Sequence, residues 1–339
     1  MGRLRYTASR LLQAIPVLIG VVTITFFLTD AIPGDPVQIM LGPSPSAQQA
    51  DAIRAKFGLD QPLYVRYFNY LLDVAQGQLG ESIYYGVPVS QKILERLPVT
   101  LFLLLSSFAF ALLTAIPLGI LSAKRRNEPT DHVSRVVALF GVSTPSFWIG
   151  LMLIIVFSYN LGWLPATNIV LPWADPTTVD AASNTAPWYI GQWHVIVTSA
   201  RHLVLPMITL GTLQMAAFTR IERSSMLEVL GEEYVKLARA YGVSEFTIVR
   251  KHAFRNAQLP LLTLVGLQLT SALGGAVLTE TVFSINGMGR LIITAIQNQD
   301  YPLVMGTTLV FGIVFVVGVI VTDLSYAYID PRVSFEGSE

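Results

Sequence analysis

Residues 97–123 read LPVTLFLLLSSFAFALLTAIPLGILSA, without one Asp, Glu, Lys or Arg. The hydrocarbon core of a bilayer is about 30 Å thick, and a helix needs about 20 apolar residues to cross it. This stretch is therefore predicted to span a membrane as an α-helix, because lipid offers no partner to an unpaired backbone N–H or C=O. Five more stretches satisfy the same rule: Leu11–Thr29, Val136–Trp163, His202–Thr219, Asn256–Thr279 and Pro302–Thr322. The first follows Arg3, Arg5 and Arg10, as a signal peptide would. Its apolar part is longer than a signal core, and no small-residue cleavage site precedes Pro33-Gly34-Asp35-Pro36, so it reads as a retained span. Pro16, Pro117, Pro145 and Pro206 are expected to bend their helices rather than end them, since packed membrane helices tolerate proline.

The composition agrees. Of 339 residues, 53% are apolar and 13% charged, whereas a soluble domain carries about 25% charged residues. A water-soluble enzyme of two domains is excluded on that ground. The net charge of zero, from 22 basic and 22 acidic side chains, argues against a nucleic-acid binder, which would show a basic excess. Without cysteine there are no disulfides, Cys-ligated zinc or Cys nucleophiles. His132, His194, His202 and His252 have no metal-ligand spacing. With the N-terminus inside, the cytoplasmic segments hold 15 Lys and Arg and the outer ones 7. This follows the positive-inside rule and puts both termini in the cytoplasm.

Three segments outside the spans are long. Residues 31–98 form an external insertion between the first span (with the N-terminus, 1–30) and a five-helix core, 99–339. Asp60-Gln61-Pro62 is a helix start, with an acceptor side chain ahead of proline. Leu63, Tyr67, Tyr70, Leu71 and Val74 follow on one helical face, and Ala47–Phe57 reads as another short helix. The insertion is either a cap packed on the ends of the spans or a docking surface for an external partner, and the two are compatible. The second outer loop, 164–201, carries Trp173, Trp188 and Trp193, which suits the membrane interface.

The third segment, Arg220–Asn256, is too long for a simple connection. Ser225-Met226-Leu227-Glu228 fits a capping box. Leu230, Tyr234, Leu237, Ala238 and Tyr241 then share a helical face, with Glu232, Glu233, Lys236 and Arg239 opposite. Gly242 stands where a helix end favours positive φ. Ser244 can cap a second helix with Phe246, Val249 and Ala253 on one face and Arg250, Lys251, His252 and Arg255 near its end. Such a pair can lie on lipid headgroups or enter a groove on a cytosolic partner. The small residues and glycine of Lys236–Gly242 favour the groove, because they allow close backbone approach and a tight turn.

Several runs of this chain resemble a known family. Glu233-Tyr234-Val235-Lys236-Leu237-Ala238-Arg239-Ala240-Tyr241-Gly242, then Arg250-Lys251-His252-Ala253-Phe254-Arg255-Asn256-Ala257 and Leu259-Pro260, resemble the cytoplasmic loop of ABC importer permeases of the dipeptide/oligopeptide branch. Ile32-Pro33-Gly34-Asp35-Pro36, Phe57-Gly58-Leu59-Asp60-Gln61-Pro62-Leu63 and Gly77-Gln78-Leu79-Gly80-Glu81-Ser82 are similar to that branch's signatures. So are Thr144-Pro145-Ser146-Phe147-Trp148, Thr279-Glu280-Thr281-Val282-Phe283, Gly287-Met288-Gly289-Arg290, Asp300-Tyr301-Pro302 and Asp330-Pro331-Arg332. Each run is weak alone, but their number and order span nearly the whole chain. Tyr241 stands where the branch often has a basic residue, and Asn286 where it often has proline.

The resemblance implies an all-α integral membrane protein of six transmembrane helices, the type I ABC importer permease fold. It further implies a multi-pass protein of the cell membrane that pairs with a second, homologous permease. Two cytoplasmic ATPase subunits bind ATP and Mg, an external substrate-binding protein delivers cargo, and nucleic acid has no part. The coupling element it implies is Lys236, Leu237, Ala238, Arg239, Ala240, Tyr241 and Gly242, flanked by Glu233, Tyr234, Val243 and Ser244. The chain has no G-x-x-x-x-G-K-[ST] of its own, so it is expected to hold no catalytic residue, cofactor or metal.

Di- or oligopeptides are the implied cargo, with oligosaccharides or nickel complexes as alternatives in the same architecture. The rival from another class is an ion-coupled secondary transporter. Against it, Asp323 is the one ionisable residue near a span interior, and no interrupted helix pair is evident at matched positions in two halves. Asp30, Glu280 and Asp323 are expected to be structural.

Overall fold

The computed structural model describes residues 3–31, 41, 46–56, 58–179 and 188–329. The motifs at Ile32–Pro36 and Asp330–Arg332, and Phe57 of the second, lie outside the described residues. The apolar stretch 97–123 forms most of the 36-residue helix α4 (Val89–Lys124). Ahead of it come α1 (Arg3–Ala31), α2 (Ala47–Lys56) and α3 (Leu63–Ala75). After it come α5 (Pro129–Ser143), α6 (Ser146–Leu153), α7 (Trp188–Leu230), α8 (Glu233–Ala240), α9 (Glu245–Thr247), α10 (Phe254–Val282), α11 (Met288–Gln297) and α12 (Tyr301–Ile329). The described residues hold no β-structure beyond one antiparallel bridge, Glu81 to Pro88. The chain is an all-α integral membrane protein. Among the described residues, Ser9–Ala31, Val89–Lys124, Gly191–Leu230 and Tyr301–Asp323 are single helices long and apolar enough to cross a bilayer, and the total is six when each of two bent pairs is counted as one span.

The first bent pair corrects one expectation. Pro145 ends a helix instead of bending it: Pro129–Ser143 and Ser146–Asn160 meet at 105°. Thr144 has ψ 129 and Pro145 ψ 134, because the proline ring pushes the preceding residue out of the α region. Thr144 therefore leaves the helix although both arms are apolar. The second pair, Glu245–Leu269 and Ala272–Val282, bends by 54° within the helical run through α10.

Other elements also shift. The span placed at His202–Thr219 is the middle of the 43-residue α7. That helix absorbs the end of the loop drawn at 164–201, Trp193 included. Helix α3 begins one residue past Pro62, which is its N-cap and contributes no side-chain hydrogen bond, so Asp60 does not cap it.

The chain forms two compact units, residues 1–98 with 286–317 and residues 99–285 with 318–339. In the first, α3 lies against the end of α1. Tyr67 shares a 2.8 Å hydrogen bond with Thr23, Tyr70 stacks on Phe26, and Arg66 pairs with Asp30 at 2.8 Å. Burial pushes the Tyr70 phenol above its usual range. The buried Asp300 joins the loop before α4 to the start of α12. It accepts from Ser82 Oγ, from Tyr84 N at 3.1 Å and from Leu303 N at 3.2 Å. The last of these caps α12.

Removing the acceptor strands buried donors, which costs about 1–3 kcal/mol. Asp300→Ala is therefore expected to lower the melting temperature of the purified protein, with Asp300→Asn between it and wild type.

In the second unit, Leu103, Phe108, Leu205, Phe218, Leu261 and Phe283 form the centre of an apolar core built from α4, α7, α10 and the turn after α10. Outward-facing Leu105, Leu113, Val136, Leu139 and Phe140 remain exposed, as expected where the surrounding solvent is hydrocarbon. Two buried polar clusters cross this unit. Glu222 of α7, wholly buried, accepts two bonds from Gln258 Nε2 at 3.0 and 3.1 Å. Gly119 admits it: a Cβ there would stand 2.6 Å from the Glu222 side chain. Asp131 of α5, also wholly buried, takes Arg223 Nε at 2.6 Å and Nη2 at 2.9 Å, and Ser122 Oγ at 2.6 Å. Asp30 and Glu280 are held by partners, Arg66 and Thr100 respectively, in keeping with structural roles.

Candidate functional site

The segment from Gly231 to Ala253 joins two long membrane helices, and its shape follows from a few residues. Helix α7 continues to Leu230, so Ser225 and Met226 lie inside it and are buried. Ser225-Met226-Leu227-Glu228 is thus no helix start. Met226 packs with Ala123, Ala253 and Ala257, and that burial carries the helix past its local cap signal. The chain turns at Gly231, whose N–H bonds Glu228 O at 3.0 Å, and α8 begins at Glu233.

One side of α8 is anchored. Val235 is fully buried. The Tyr234 hydroxyl accepts from Asn256 Nδ2 at 2.9 Å and donates to His252 O at 3.5 Å, tying α8 to the start of α10. Arg239 bridges the turn, with Nε 2.7 Å from Glu245 Oε1. Glu233 and Lys236 pair at 2.7 Å on the exposed surface, a contact worth little in water.

The helix ends as its glycine requires. Gly242 has φ +77. Its N–H bonds Arg239 O at 3.0 Å, and Val243 N–H bonds Ala238 O at 3.1 Å. These are the two reversed bonds of a Schellman motif. Ser244 then caps the next turn, accepting from Thr247 N at 3.4 Å. That turn, α9, does not end at the basic cluster. It runs through a π-helical stretch, Ile248–Ala253, directly into α10. Arg250, Lys251 and His252 therefore sit inside a continuous helix, not at its C-terminus. Burial of Ile248 and Ala253 holds that continuity.

The result is an anchored projection with an apolar tip. Leu237, Tyr241 and Phe246 are 56%, 80% and 70% exposed, while Ala238 and Val243 are half-buried beneath them. Ala240 is exposed as well. All eleven residues singled out from the sequence, Glu233 and Tyr234, Lys236 to Gly242, Val243 and Ser244, occur in this one element. Three participants escaped that reading: Val235 as the anchor, Glu245 as the partner of Arg239, and Asn256 as the tether. Val235 interrupts the amphipathic pattern by facing inward opposite the apolar tip. Glu245 and Asn256 meet their partners across the glycine turn and the next helix, where no single periodicity links them.

Comparison with known proteins agrees with the fold. Residues 115–335 match the family model described as binding-protein-dependent transport system inner membrane component, and residues 3–104 match the model of its N-terminal part. The chain is 41% identical to the dipeptide transport system permease protein DppB of Alkalihalophilus pseudofirmus, over 98% of this chain and 100% of that one. It is 38% identical to the oligopeptide transport system permease protein AppB of Bacillus subtilis, covering 97% and 99%. It is 41% identical to the probable D,D-dipeptide transport system permease protein DdpB of Escherichia coli, covering 95% of each.

Proposed function

Because the chain belongs to the family of binding-protein-dependent transport system inner membrane components, a multi-pass protein of the plasma membrane that works as part of a transporter complex, we propose that it forms half of a translocation path for di- or oligopeptides. The names of its relatives support the peptide cargo. A second, homologous permease completes the path. An external binding protein loads it, and two cytoplasmic ATPase subunits hold the ATP and Mg. Both termini and the Gly231–Ala253 projection face the cytoplasm, in keeping with the excess of Lys and Arg there.

The observation that carries this reading is the projection itself, an exposed apolar tip on a helix anchored from behind by Val235 and Tyr234. A helix lying on lipid would turn its whole apolar face to the surface, whereas here Val235 is buried against the protein and a narrow tip protrudes. Such a tip fits a groove on another protein. ATP-driven closure of the ATPases draws the two coupling helices together. The permeases then rock as rigid bundles, closing the inner mouth and opening the outer one, and hydrolysis resets the path. The loaded binding protein favours the outward-open state only through its higher affinity for that state.

The chain lacks cysteine, which makes the test direct. Tyr241→Cys in the assembled transporter is expected to cross-link to an ATPase subunit through a short bifunctional thiol reagent and a groove cysteine on that subunit. Absence of the cross-link in an active complex would remove the coupling assignment.

A further inference from the structure

A cavity of about 400 Å³ lies in the second unit beside α5 and α7. Its polarity is graded. Arg135, Arg220 and Arg223 line one end, and Leu139, Val142 and Ala216 the other. The grading follows from helix register. Leu139 and Val142 stand four and seven residues beyond Arg135 on α5, so they share its face. Ala216 stands four residues before Arg220 on α7. Four residues of helix are about 6 Å along the axis, so both helices change from charge to hydrocarbon within that distance.

The charge does not cancel. Asp131 is engaged by Arg223 at 2.6 and 2.9 Å, and the exposed Arg135 approaches the same carboxylate at 3.6 Å. Among the described residues, no acidic side chain lines the cavity. Arg223 and Arg135 thus share one buried carboxylate, and with Arg220 also in the lining the rim keeps a positive excess. The apolar end stays open, with Leu139 67% and Val142 43% exposed.

We propose that this cavity binds an anionic diacyl phospholipid, with the phosphate between Arg135 and Arg220 and an acyl chain along the exposed Leu139 and Val142. Basic pockets between membrane helices on the cytoplasmic side hold anionic headgroups in this way. The excess charge selects an anionic lipid over a zwitterionic one, because the latter's own ammonium would meet the same guanidinium groups. The occupant adds a bound lipid to the transport function and does not depend on the projection at Gly242.

The test is native mass spectrometry of the purified transporter after reconstitution in vesicles of equal parts phosphatidylglycerol and phosphatidylcholine, counting lipid retained on this chain. The wild type is expected to keep phosphatidylglycerol selectively. Arg135→Gln with Arg220→Gln is expected to weaken retention about 30-fold, the equivalent of ~1 kcal/mol per basic residue. Leu139→Trp fills the apolar end and is expected to lose the lipid with its charges intact. Arg125→Gln with Arg126→Gln, in exposed positions outside the cavity, is expected to change nothing. Unchanged retention in the double arginine variant, or equal retention of both lipids, overturns the proposal. So does a cross-link from Leu139→Cys to the second permease, which would make that subunit the occupant. The lipid count is read whether or not the chain couples to an ATPase, so its failure is distinct from failure of the coupling reading.

Discussion

Replacing Gly242 with Val is expected to stop ATP-driven peptide uptake while the chain still folds and inserts. Gly242 holds φ +77, and a Cβ there would meet nothing within 4 Å. The penalty is therefore one of backbone conformation. A left-handed residue with a side chain costs ~1–2 kcal/mol, a factor of about 5 to 30 in the population of the native turn, and a β-branched side chain sits at the upper end. The two reversed hydrogen bonds from Gly242 and Val243 break first, and Arg239 and Glu245 then lose their register across the turn. The apolar cores of the two units lie in other residues, so folding survives. Asn, which tolerates this conformation, is expected to retain most uptake, and Ala to fall between. Radiolabelled dipeptide uptake and ATPase activity in proteoliposomes, normalised to the chain present, read the result. Wild-type uptake and ATPase activity in the Val variant would make the coupling assignment wrong.

Arg223→Leu is expected to be among the most destabilising single changes in the second unit. Asp131 is fully buried and Arg223 is 19% exposed. Their bidentate contact joins α5 to α7, while Ser122 brings in α4. Removing one partner of a buried pair costs about 3–5 kcal/mol, because the other charge is left without its counterion. A large fall in the melting temperature of the purified protein is the expected reading. Arg223→Lys keeps the charge but loses the fork and is expected to fall less. Asp131→Leu combined with Arg223→Leu removes both charges and is expected to recover much of the loss, since apolar replacement of a buried pair is often close to neutral. If the double variant were no more stable than Arg223→Leu alone, the cost would lie in packing and not in the stranded carboxylate.

Much of the fold was legible because the membrane imposes a simple rule. Long uncharged stretches must be helical, and five of the six expected spans lie within helices, while Val136–Trp163 is broken at Thr144–Pro145. Gly242 and Ser244 were legible for a similar reason: a positive φ and a helix cap are local demands that a single side chain meets. Helix ends set by packing were not. Ser225 has the residue type and spacing of a cap, yet the burial of Met226 against Ala123, Ala253 and Ala257 carries α7 past it. Pro145 is a local signal whose outcome was not local. Pro16 and Pro206 sit within continuous helices, whereas at Pro145 the chain turns by 105°. Asp131 and Arg223 looked like ordinary charges flanking spans, because their partnership crosses 92 residues of chain.

By itself the sequence determined the solvent of this protein, the helical character of its spans and the place of its glycine turn. Those depend on hydrocarbon length, backbone pairing and φ, which act within a few consecutive residues. The tertiary structure alone decided which charges are buried, where α7 and the helix through α9 and α10 begin and end, and which side of α8 is left outward. Those depend on what each side chain meets from distant parts of the chain. Val235 and Leu237 are both aliphatic residues of one short helix. One anchors the projection and the other forms its tip, because only one of them finds the rest of the protein beneath it.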